Sequence, residues 1–293
     1  MRIGITDSGV GGLSVCAAVE AKLRNSPIQE DIELLYLNAA IEDDYSYNSM
    51  PDRQTKLVAF DRFLDSVCER FHPDLLFIAC NTLSVLYQDP WFDHYRHIPI
   101  KGIVDTGARE MLAAFEQESD LTVIVFATPT TIEEGVYGDR LRENGVPQQQ
   151  FAEQACPGLP DAISNDDSGR LAGNLLKEYV PGALGQFNET PENVLAFLGC
   201  THYGYQVIEF ERALQTLVKK TRVMNPNLGA ADTILSSLNT RAGNGSLKVG
   251  FITRYAIPTV VIKSLSVYIG KNAPATLAAL KSYTLLPELC GEL

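Results

Sequence analysis

Two cysteines of this chain, Cys80 and Cys200, occur in matching surroundings. Each follows a short apolar run and opens a segment with a helical pattern, and residues 75–82 align with residues 195–202 after a shift of 120 positions. A thiol at a strand-to-helix junction receives backbone N–H groups and the positive end of the helix dipole, which favour the thiolate. The repeat therefore predicts two similar lobes that each supply one reactive thiol to a shared cleft.

Polar side chains accompany both thiols. Those that directly follow the two cysteines are Asn81, Thr82, Thr201 and His202. His202 can exchange a proton with Cys200, because an imidazole titrates near neutral pH. Asp7, at the end of the first apolar run, can do the same for Cys80. We therefore expect the catalytic group to consist of Asp7, Cys80, Cys200 and His202.

The alternative is that the cysteines only fill space in the core. Free cysteine is among the most commonly buried residue types, and Cys16, Cys68 and Cys156 fit that description. A packing cysteine needs no polar neighbours at the edge of a sheet. The amide, hydroxyl and imidazole groups next to Cys80 and Cys200 therefore favour a reactive role for these two cysteines.

A glycine-containing turn at residues 7–12 (DSGVGG) follows the first apolar run. Glycines let backbone amides approach an anion closely. The turn lacks the full Gly-x-Gly-x-x-Gly spacing and has no Gly-Lys-Ser/Thr, so it favours a substrate carboxylate over a phosphate. A tight turn without a ligand remains an equal alternative.

Composition limits the classes of partner. The 293 residues are 45% hydrophobic, with a net charge of −12 and a pI near 4.8, which opposes binding to nucleic acid or to an anionic membrane. No apolar stretch reaches the roughly 18 residues of a membrane helix, and no Cys-x-x-Cys pair indicates a metal site. We expect a reduced, cytoplasmic protein with a small partner and no metal.

Short apolar runs of about three to seven residues alternate with longer amphipathic stretches along the chain. This pattern predicts an α/β fold of two similar lobes, each a mostly parallel sheet covered by helices, with the active site in the cleft between them. Parallel strands present their carboxyl ends at one edge, where ligands bind. The residues expected at those edges are Asp7, Cys80, Thr128 and Cys200.

The chain is expected to cross from one lobe to the other twice. The predicted first lobe comprises residues 1–98 and 208–293, and the predicted second lobe comprises residues 99–207. Neither boundary carries a linker composition. The assignment of the tail to the first lobe depends on a single apolar run at residues 247–252, followed by a final predicted helix.

Three segments together resemble the signature motifs of the glutamate racemases, in the same order. They are residues 7–13 (DSGVGGL), 79–82 (ACNT) and 198–203 (LGCTHY). Residues 127–131, 134–137 and 156–157 also resemble the second lobe of that family. The similarity extends over most of residues 1–240.

The resemblance implies a cofactor-independent amino-acid racemase, in which one thiolate removes the α-proton and the opposing thiol returns a proton to the other face. Cys80 and Cys200 would be this pair, with Asp7 and His202 beside them. D-glutamate made in this way would supply peptidoglycan synthesis. The resemblance also implies substrate contacts from Ser8, Tyr47, Asn48, Asn81, Thr82, Thr128 and Thr201.

Two departures from the family pattern concern the substrate. The segment at residues 38–48 lacks the usual Arg, Pro and Gly and carries an acidic run at residues 42–44. Such a run is usually a solvated loop, which is our expectation here. After Cys156-Pro157 the usual glutamate is missing, and Asp161 is a candidate replacement.

Other functions are also compatible with these residues. Racemases of aspartate or other amino acids, related isomerases and arylmalonate decarboxylases also use cysteines at these positions, although retention of both thiols disfavours the single-thiol decarboxylases. A non-catalytic amino-acid-binding protein ranks lower. A homodimer is the assembly that general frequency favours.

Overall fold

The computed structural model describes residues 1–24, 30–43, 45–92, 97–238, 245–270 and 272–290. Asp44, the last residue of the acidic run, lies outside these ranges. In the part of the chain that is described, no helix is long and apolar enough to cross a membrane.

Strands and helices alternate along the chain, as the sequence pattern predicts. The strands are β1 (Arg2–Asp7), β2 (Ile32–Asn38), β3 (Leu75–Ile78), β4 (Ile100–Gly102), β5 (Thr122–Ala127), β6 (Phe151–Ala155), β7 (Asn193–Gly199), β8 (Lys220–Met224), β9 (Leu247–Thr253) and β10 (Thr284–Leu285). The α-helices are α1 (Leu13–Arg24), α2 (Arg53–Phe71), α3 (Asn81–Leu86), α4 (Ile103–Gln117), α5 (Pro129–Glu133), α6 (Val136–Glu143), α7 (Leu159–Asn165), α8 (Arg170–Leu184), α9 (Val207–Gln215), α10 (Pro226–Leu235), α11 (Thr259–Ile269) and α12 (Pro274–Lys281). Short 3-10 turns occur at Pro90–Phe92, Gln148–Gln150, Thr201–Gln206 and Pro287–Cys290.

The strands form two sheets with parallel pairing. The first has six strands in the order β10-β9-β2-β1-β3-β4, and the second has four in the order β6-β5-β7-β8. All residues of β5 and β7 are buried, as expected for strands that helices cover on both sides. The predicted α/β fold with two lobes is confirmed.

Side chains of each strand alternate between two cores, because successive residues of a strand point to opposite faces. In β3, Phe77 packs in the core beside α1, whereas Ile78 packs in the core beside α2. In β7, Leu198 packs in the core beside α8, whereas Phe197 packs in the core beside α4. Each sheet is therefore the middle layer of a three-layer lobe.

The chain passes between the sheets later than the sequence analysis predicts. Strand β4 pairs with β3 in the first sheet, although residue 99 was the expected start of the second lobe. Strand β8 pairs with β7 in the second sheet, although residue 208 was the expected return to the first lobe. Both are edge strands with partly exposed residues. The apolar run at residues 100–104 indicates a strand there but not the sheet that it joins, and β8 carries no such run. Strands β9 and β10 join the first sheet.

Four central strands deliver the polar residues to one region. Asp7 is the last residue of β1, and Cys80 is the N-cap of α3 just after β3. In the second sheet, Thr128 is the N-cap of α5 after β5, and Cys200 follows the last residue of β7. Parallel pairing within each sheet places these ends on the same edge.

The C-terminal helix α12 is attached to the first lobe by a buried carboxylate. Glu20 of α1 is only 1% exposed. Its oxygens accept hydrogen bonds from the backbone N–H of Ala275 at 2.9 Å, from that of Thr276 at 2.7 Å and from the Thr276 hydroxyl at 2.8 Å. An anion at a helix N-terminus satisfies donors that have no partner within the helix.

Replacing Glu20 by alanine should lower the free energy of unfolding by about 3 kcal/mol, because the donors at the start of α12 lose a charged acceptor. Chemical denaturation of both proteins measures the difference. Glu116→Ala, at an exposed position of α4, serves as the control and should have little effect. Equal stability of the Glu20 variant and the wild type would contradict this role of the carboxylate.

Candidate active site

A cavity of about 570 Å³ lies between the carboxyl edges of the two sheets. Both lobes contribute to its wall. Ten of the eleven predicted site residues line it: Asp7, Ser8, Asn48, Cys80, Asn81, Thr82, Thr128, Cys200, Thr201 and His202. The structure thus brings the two cysteine motifs and the first turn to one place.

Tyr47 is the predicted site residue that the structure does not bring to the cavity. Its side chain is fully buried in the core of the first lobe, with its ring edge-to-face against Phe60 at 6.1 Å between centroids. Its neighbours Ser46, Asn48 and Ser49 line the cavity instead. The resemblance alone could not reveal which side chain of this altered loop faces the cavity.

Cys80 lies at the start of α3, where its sulfur has two polar contacts. Its sulfur accepts a hydrogen bond from the backbone N–H of Leu83 at 3.4 Å and lies 3.1 Å from the Ser8 hydroxyl. Burial is the main cause that raises the pKa of the Cys80 thiol to about 12, and the charge of Asp7 adds to it. Desolvation therefore outweighs these hydrogen bonds and favours the neutral thiol, contrary to the expectation from the helix N-terminus.

Cys200 precedes a 3-10 turn rather than an α-helix, and no side chain caps this turn. Its sulfur lies 3.8 Å from His202 Nδ1. Burial raises the pKa of Cys200 well above its usual value, and the charges of Asp7 and Cys80 add to the increase. Removal from bulk water lowers the pKa of His202 to about 4, so a neutral imidazole stands beside this thiol at neutral pH.

Asp7 connects the two lobes at the floor of the cavity. Its carboxylate accepts a hydrogen bond from the Thr201 hydroxyl at 2.8 Å. Burial raises the pKa of Asp7 to about 7, although hydrogen bonds from Thr201 and from the backbone of Gly9 oppose this shift. Since Asp7 raises the pKa of both Cys80 and Cys200, it is the acidic group shared by the two thiols.

The glycines after Asp7 allow the two lobes to approach each other. A Cβ atom at Gly11 would overlap the side chains of Thr201 and His202. The Tyr205 hydroxyl also donates to the Gly11 carbonyl at 3.2 Å. Close packing between the lobes is therefore a sufficient reason for glycine in this turn, with no phosphate required.

Three hydroxyl groups form a buried cluster beside the cavity, and two of them, those of Thr82 and Thr128, belong to residues that line it. The Oγ1 atoms of Thr82 and Thr128 are 2.9 Å apart, and both lie near that of Thr131, at 3.2 and 3.0 Å. Thr82 belongs to the first lobe and the other two belong to the second. Thr131 was not a predicted site residue, although it lies within a segment of family resemblance. The cluster offers rotatable donors to an anionic group.

Asn81 presents one unused donor at the cavity. The side chain is 2% exposed, and its Oδ1 accepts a hydrogen bond from the Tyr137 hydroxyl of the other lobe. Its Nδ2 has no hydrogen-bond partner among the described residues. A buried amide without a partner is costly, so this N–H₂ group is suited to receive a ligand.

The charged lining is entirely acidic within the part of the chain that the structure describes. It comprises Asp7, Glu42, Asp43 and Asp161, and no lysine or arginine lies among the described lining residues. Glu42, Asp43 and Asp161 are exposed, so the predicted solvated loop also forms part of the cavity wall. Sequence reasoning missed the contribution of Tyr255, Ile257 and Val261, because nothing in their spacing indicates that the chain returns to the cleft.

Asp7 should make the stability of the ligand-free protein depend on pH. Folding raises its pKa from 3.8 to about 7, so the folded state binds this proton more tightly than the unfolded chain does between these values. The contribution of Asp7 to the free energy of unfolding should therefore fall by about 4 kcal/mol from pH 4 to pH 7 and stay constant above.

Chemical denaturation of the wild type and of Asp7→Asn at a series of pH values tests this dependence. The stability of the wild type relative to the variant should decrease as the pH rises through this window, because the amide cannot ionise. A difference that does not change with pH would show that Asp7 titrates as in the unfolded chain.

Comparison with known proteins agrees with this geometry. A family model described as Asp/Glu/Hydantoin racemase matches residues 3–232. The glutamate racemase of Lysinibacillus sphaericus is 30% identical over 202 residues, which are 69% of this chain and 69% of that protein. The glutamate racemase of Aquifex aeolicus is 25% identical over 254 residues, covering 87% of this chain and 89% of that protein.

The fold is also that of solved glutamate racemases. The structure of a glutamate racemase isoform from Bacillus anthracis superimposes with a TM-score of 0.72 at 22% identity, covering 98% of each chain. The family match extends over well more than half of the sequence and includes both cysteine motifs. The chain therefore belongs to the Asp/Glu/hydantoin racemase family and is an isomerase of the racemase type.

Proposed function

We propose that this protein is a cofactor-independent racemase that interconverts L- and D-glutamate, with Cys80 and Cys200 as its acid/base pair. The observation that carries the proposal is that the two thiols come from different lobes and line one cavity. Each also has a polar partner, Ser8 for Cys80 and His202 for Cys200. Cys156 also lines the cavity, but its thiol donates to the backbone carbonyl of Gln154 at 3.6 Å, a group that cannot exchange a proton.

Inversion of an α-carbon needs a base on one face and an acid on the other. In the proposed reaction one cysteine thiolate removes the α-proton, and the opposing thiol delivers its own proton to the opposite face. The first cysteine ends as a thiol and the second as a thiolate, so the reverse reaction begins with the roles exchanged. The placement of Cys80 and Cys200 on separate lobes supports this symmetric scheme.

The proposed thiolate needs help, because burial raises the pKa of both thiols. An α-ammonium group would bring a positive charge into a cavity that is lined by Asp7, Cys80 and Cys200. That charge lowers the pKa of nearby acids, and Asp7, with a pKa near 7, is suited to accept the released proton. Substrate binding and thiol activation would therefore be coupled.

The α-carboxylate of the substrate would be held by neutral donors. The Nδ2 group of Asn81 and the hydroxyl groups of Thr82 and Thr128 supply them, and Thr131 holds these two hydroxyls in place. Hydrogen bonds to a charged group each contribute about 1.5–3 kcal/mol, so two or three can replace an ion pair.

Glutamate is the proposed substrate because the curated relatives are glutamate racemases. In that role D-glutamate would serve peptidoglycan synthesis in the cytoplasm. One observation favours a second candidate, the racemisation of an amino acid with an uncharged side chain. Glu42, Asp43 and Asp161 line the cavity, and they would repel a second carboxylate that came close to them.

Incubation with L-glutamate in heavy water tests the proposal. Circular dichroism should decay towards zero as the D-isomer forms, and deuterium should appear at the α-position, because the proton that is returned comes from a thiol in exchange with solvent. Aspartate, glutamine and alanine in parallel assays report the second candidate. The absence of both signals for all of these amino acids would overturn the assignment.

Cys80→Ser and Cys200→Ser are the matched variants for that assay. Each should lower kcat for racemisation by about 10³-fold, because a serine hydroxyl is a poor substitute for a thiol in proton transfer. Cys68→Ser, a partly buried cysteine outside the cavity, should retain wild-type activity. Racemisation that persists in both single variants would exclude the two-thiol scheme.

The rate should depend on pH in a bell-shaped manner. Activity should rise from acidic pH towards the pKa of Asp7 near 7, because its carboxylate is the proposed acceptor of the thiol proton. It should fall at alkaline pH, when the second thiol loses the proton that it must donate. Initial rates of the wild type and Asp7→Asn measure both limbs, and the variant should lose the limb near pH 7. A flat profile between about pH 6 and 10 would contradict thiol acid/base chemistry.

A further inference from the structure

Tyr137 is a buried tyrosine of the second lobe whose hydroxyl forms a hydrogen bond with the first lobe. It lies in the first turn of α6, is 1% exposed, and packs its ring against Phe197 at 4.9 Å between centroids. Its hydroxyl donates to Oδ1 of Asn81 at the start of α3. Burial raises the pKa of Tyr137 well above its usual value, so the hydroxyl keeps its proton at every pH of interest.

The amide of Asn81 has an acceptor end and a donor end, and the hydrogen bond selects between two orientations. While Tyr137 holds Oδ1, Nδ2 is the amide atom left for a ligand: it is buried and has no partner among the described residues, and Asn81 itself lines the cavity. Without the hydroxyl the amide can turn by about half a rotation and present its oxygen to the cavity. An oxygen in that place would repel a carboxylate.

We propose that Tyr137 is a positioning residue that fixes the Asn81 amide with its N–H₂ group towards the α-carboxylate of the substrate. The inference rests on the proposed racemase function and adds a residue to it. Because the α-carboxylate is common to all amino acids, the effect of Tyr137 does not depend on which side chain the substrate carries.

The packing around Tyr137 agrees with a role for the hydroxyl rather than for the ring alone. A phenylalanine would fill the same apolar space, and a buried hydroxyl costs free energy unless it is hydrogen-bonded. Gly107, inside α4, leaves space for the Phe197 and Tyr137 side chains. A Cβ atom at this position would overlap the Phe197 ring and lie 3.3 Å from the Tyr137 hydroxyl. Glycine in a helix interior costs about 1 kcal/mol relative to alanine, so this space is maintained at the expense of α4.

The test is a double-mutant cycle of Tyr137→Phe and Asn81→Ala, measured with glutamate. Tyr137→Phe should raise KM about tenfold or more and change kcat much less, because the carboxylate contact exists in both the ground state and the transition state. In the Asn81→Ala background, Tyr137→Phe should have no further effect. Thr106→Val removes another buried hydroxyl contact, that of Thr106 with Thr233 at 2.9 Å, and should leave KM unchanged.

The cycle distinguishes positioning from general destabilisation. A loss that came only from weaker folding would persist in the Asn81→Ala background, and this result would overturn the inference. An unchanged KM for Tyr137→Phe in the wild-type background would do the same.

The dissociation constant of D-glutamate, measured by isothermal titration, separates this inference from the proposed function. Binding that weakens about tenfold in Tyr137→Phe, in a protein without racemase activity, would support the positioning role and reject the function. Normal turnover by the wild type, together with an unchanged KM and an unchanged dissociation constant in Tyr137→Phe, would reject only the positioning role. A wild type that neither binds nor converts glutamate would reject both.

Discussion

The hydrogen bond from Thr201 to Asp7 is the contact on which the geometry of the cavity depends. It joins the end of β1 in one lobe to the turn after Cys200 in the other, at 2.8 Å and away from water. Further contacts between the lobes surround the cavity: Thr82 with Thr128, Tyr137 with Asn81, Lys56 with Thr130, and Arg53 with Glu134. They set the gap between the two thiols, because a shift of one lobe would break all of them together.

Burial of the same contacts determines the charge state of the site. Desolvation raises the pKa of Asp7, Cys80 and Cys200 and so favours the neutral form of each group. A lone thiolate at this buried site would be costly. In the proposed function, a zwitterionic substrate would change this balance, because it would supply an ammonium near the acids and a carboxylate near N–H and O–H donors. Selectivity for amino acids would then follow from charge balance as much as from shape.

Much of this arrangement could be predicted from local sequence. Buried parallel strands read as short apolar runs, and the repeat around Cys80 and Cys200 indicates two lobes, since each motif needs its own strand end. The boundary at residue 208 was misplaced because the edge strand β8 is partly exposed and carries no such run, and the boundary at residue 99 was misplaced because the apolar run at residues 100–104 does not show which sheet it joins. Tyr47 was wrongly assigned to the cavity, because an irregular loop has no periodicity that shows which side chains face the cavity and which face the core.

The sequence by itself determined the α/β class, the two cysteines and their polar neighbours, because these depend on residue type and on spacing along the chain. Tertiary structure alone decided the direction of the pKa shifts, since desolvation depends on what surrounds a group from every side. It also decided the contacts between lobes, such as the hydrogen bond of Tyr137 to Asn81, 56 residues away along the chain. No local pattern encodes a contact of that kind, because it exists only when two separate lobes pack together.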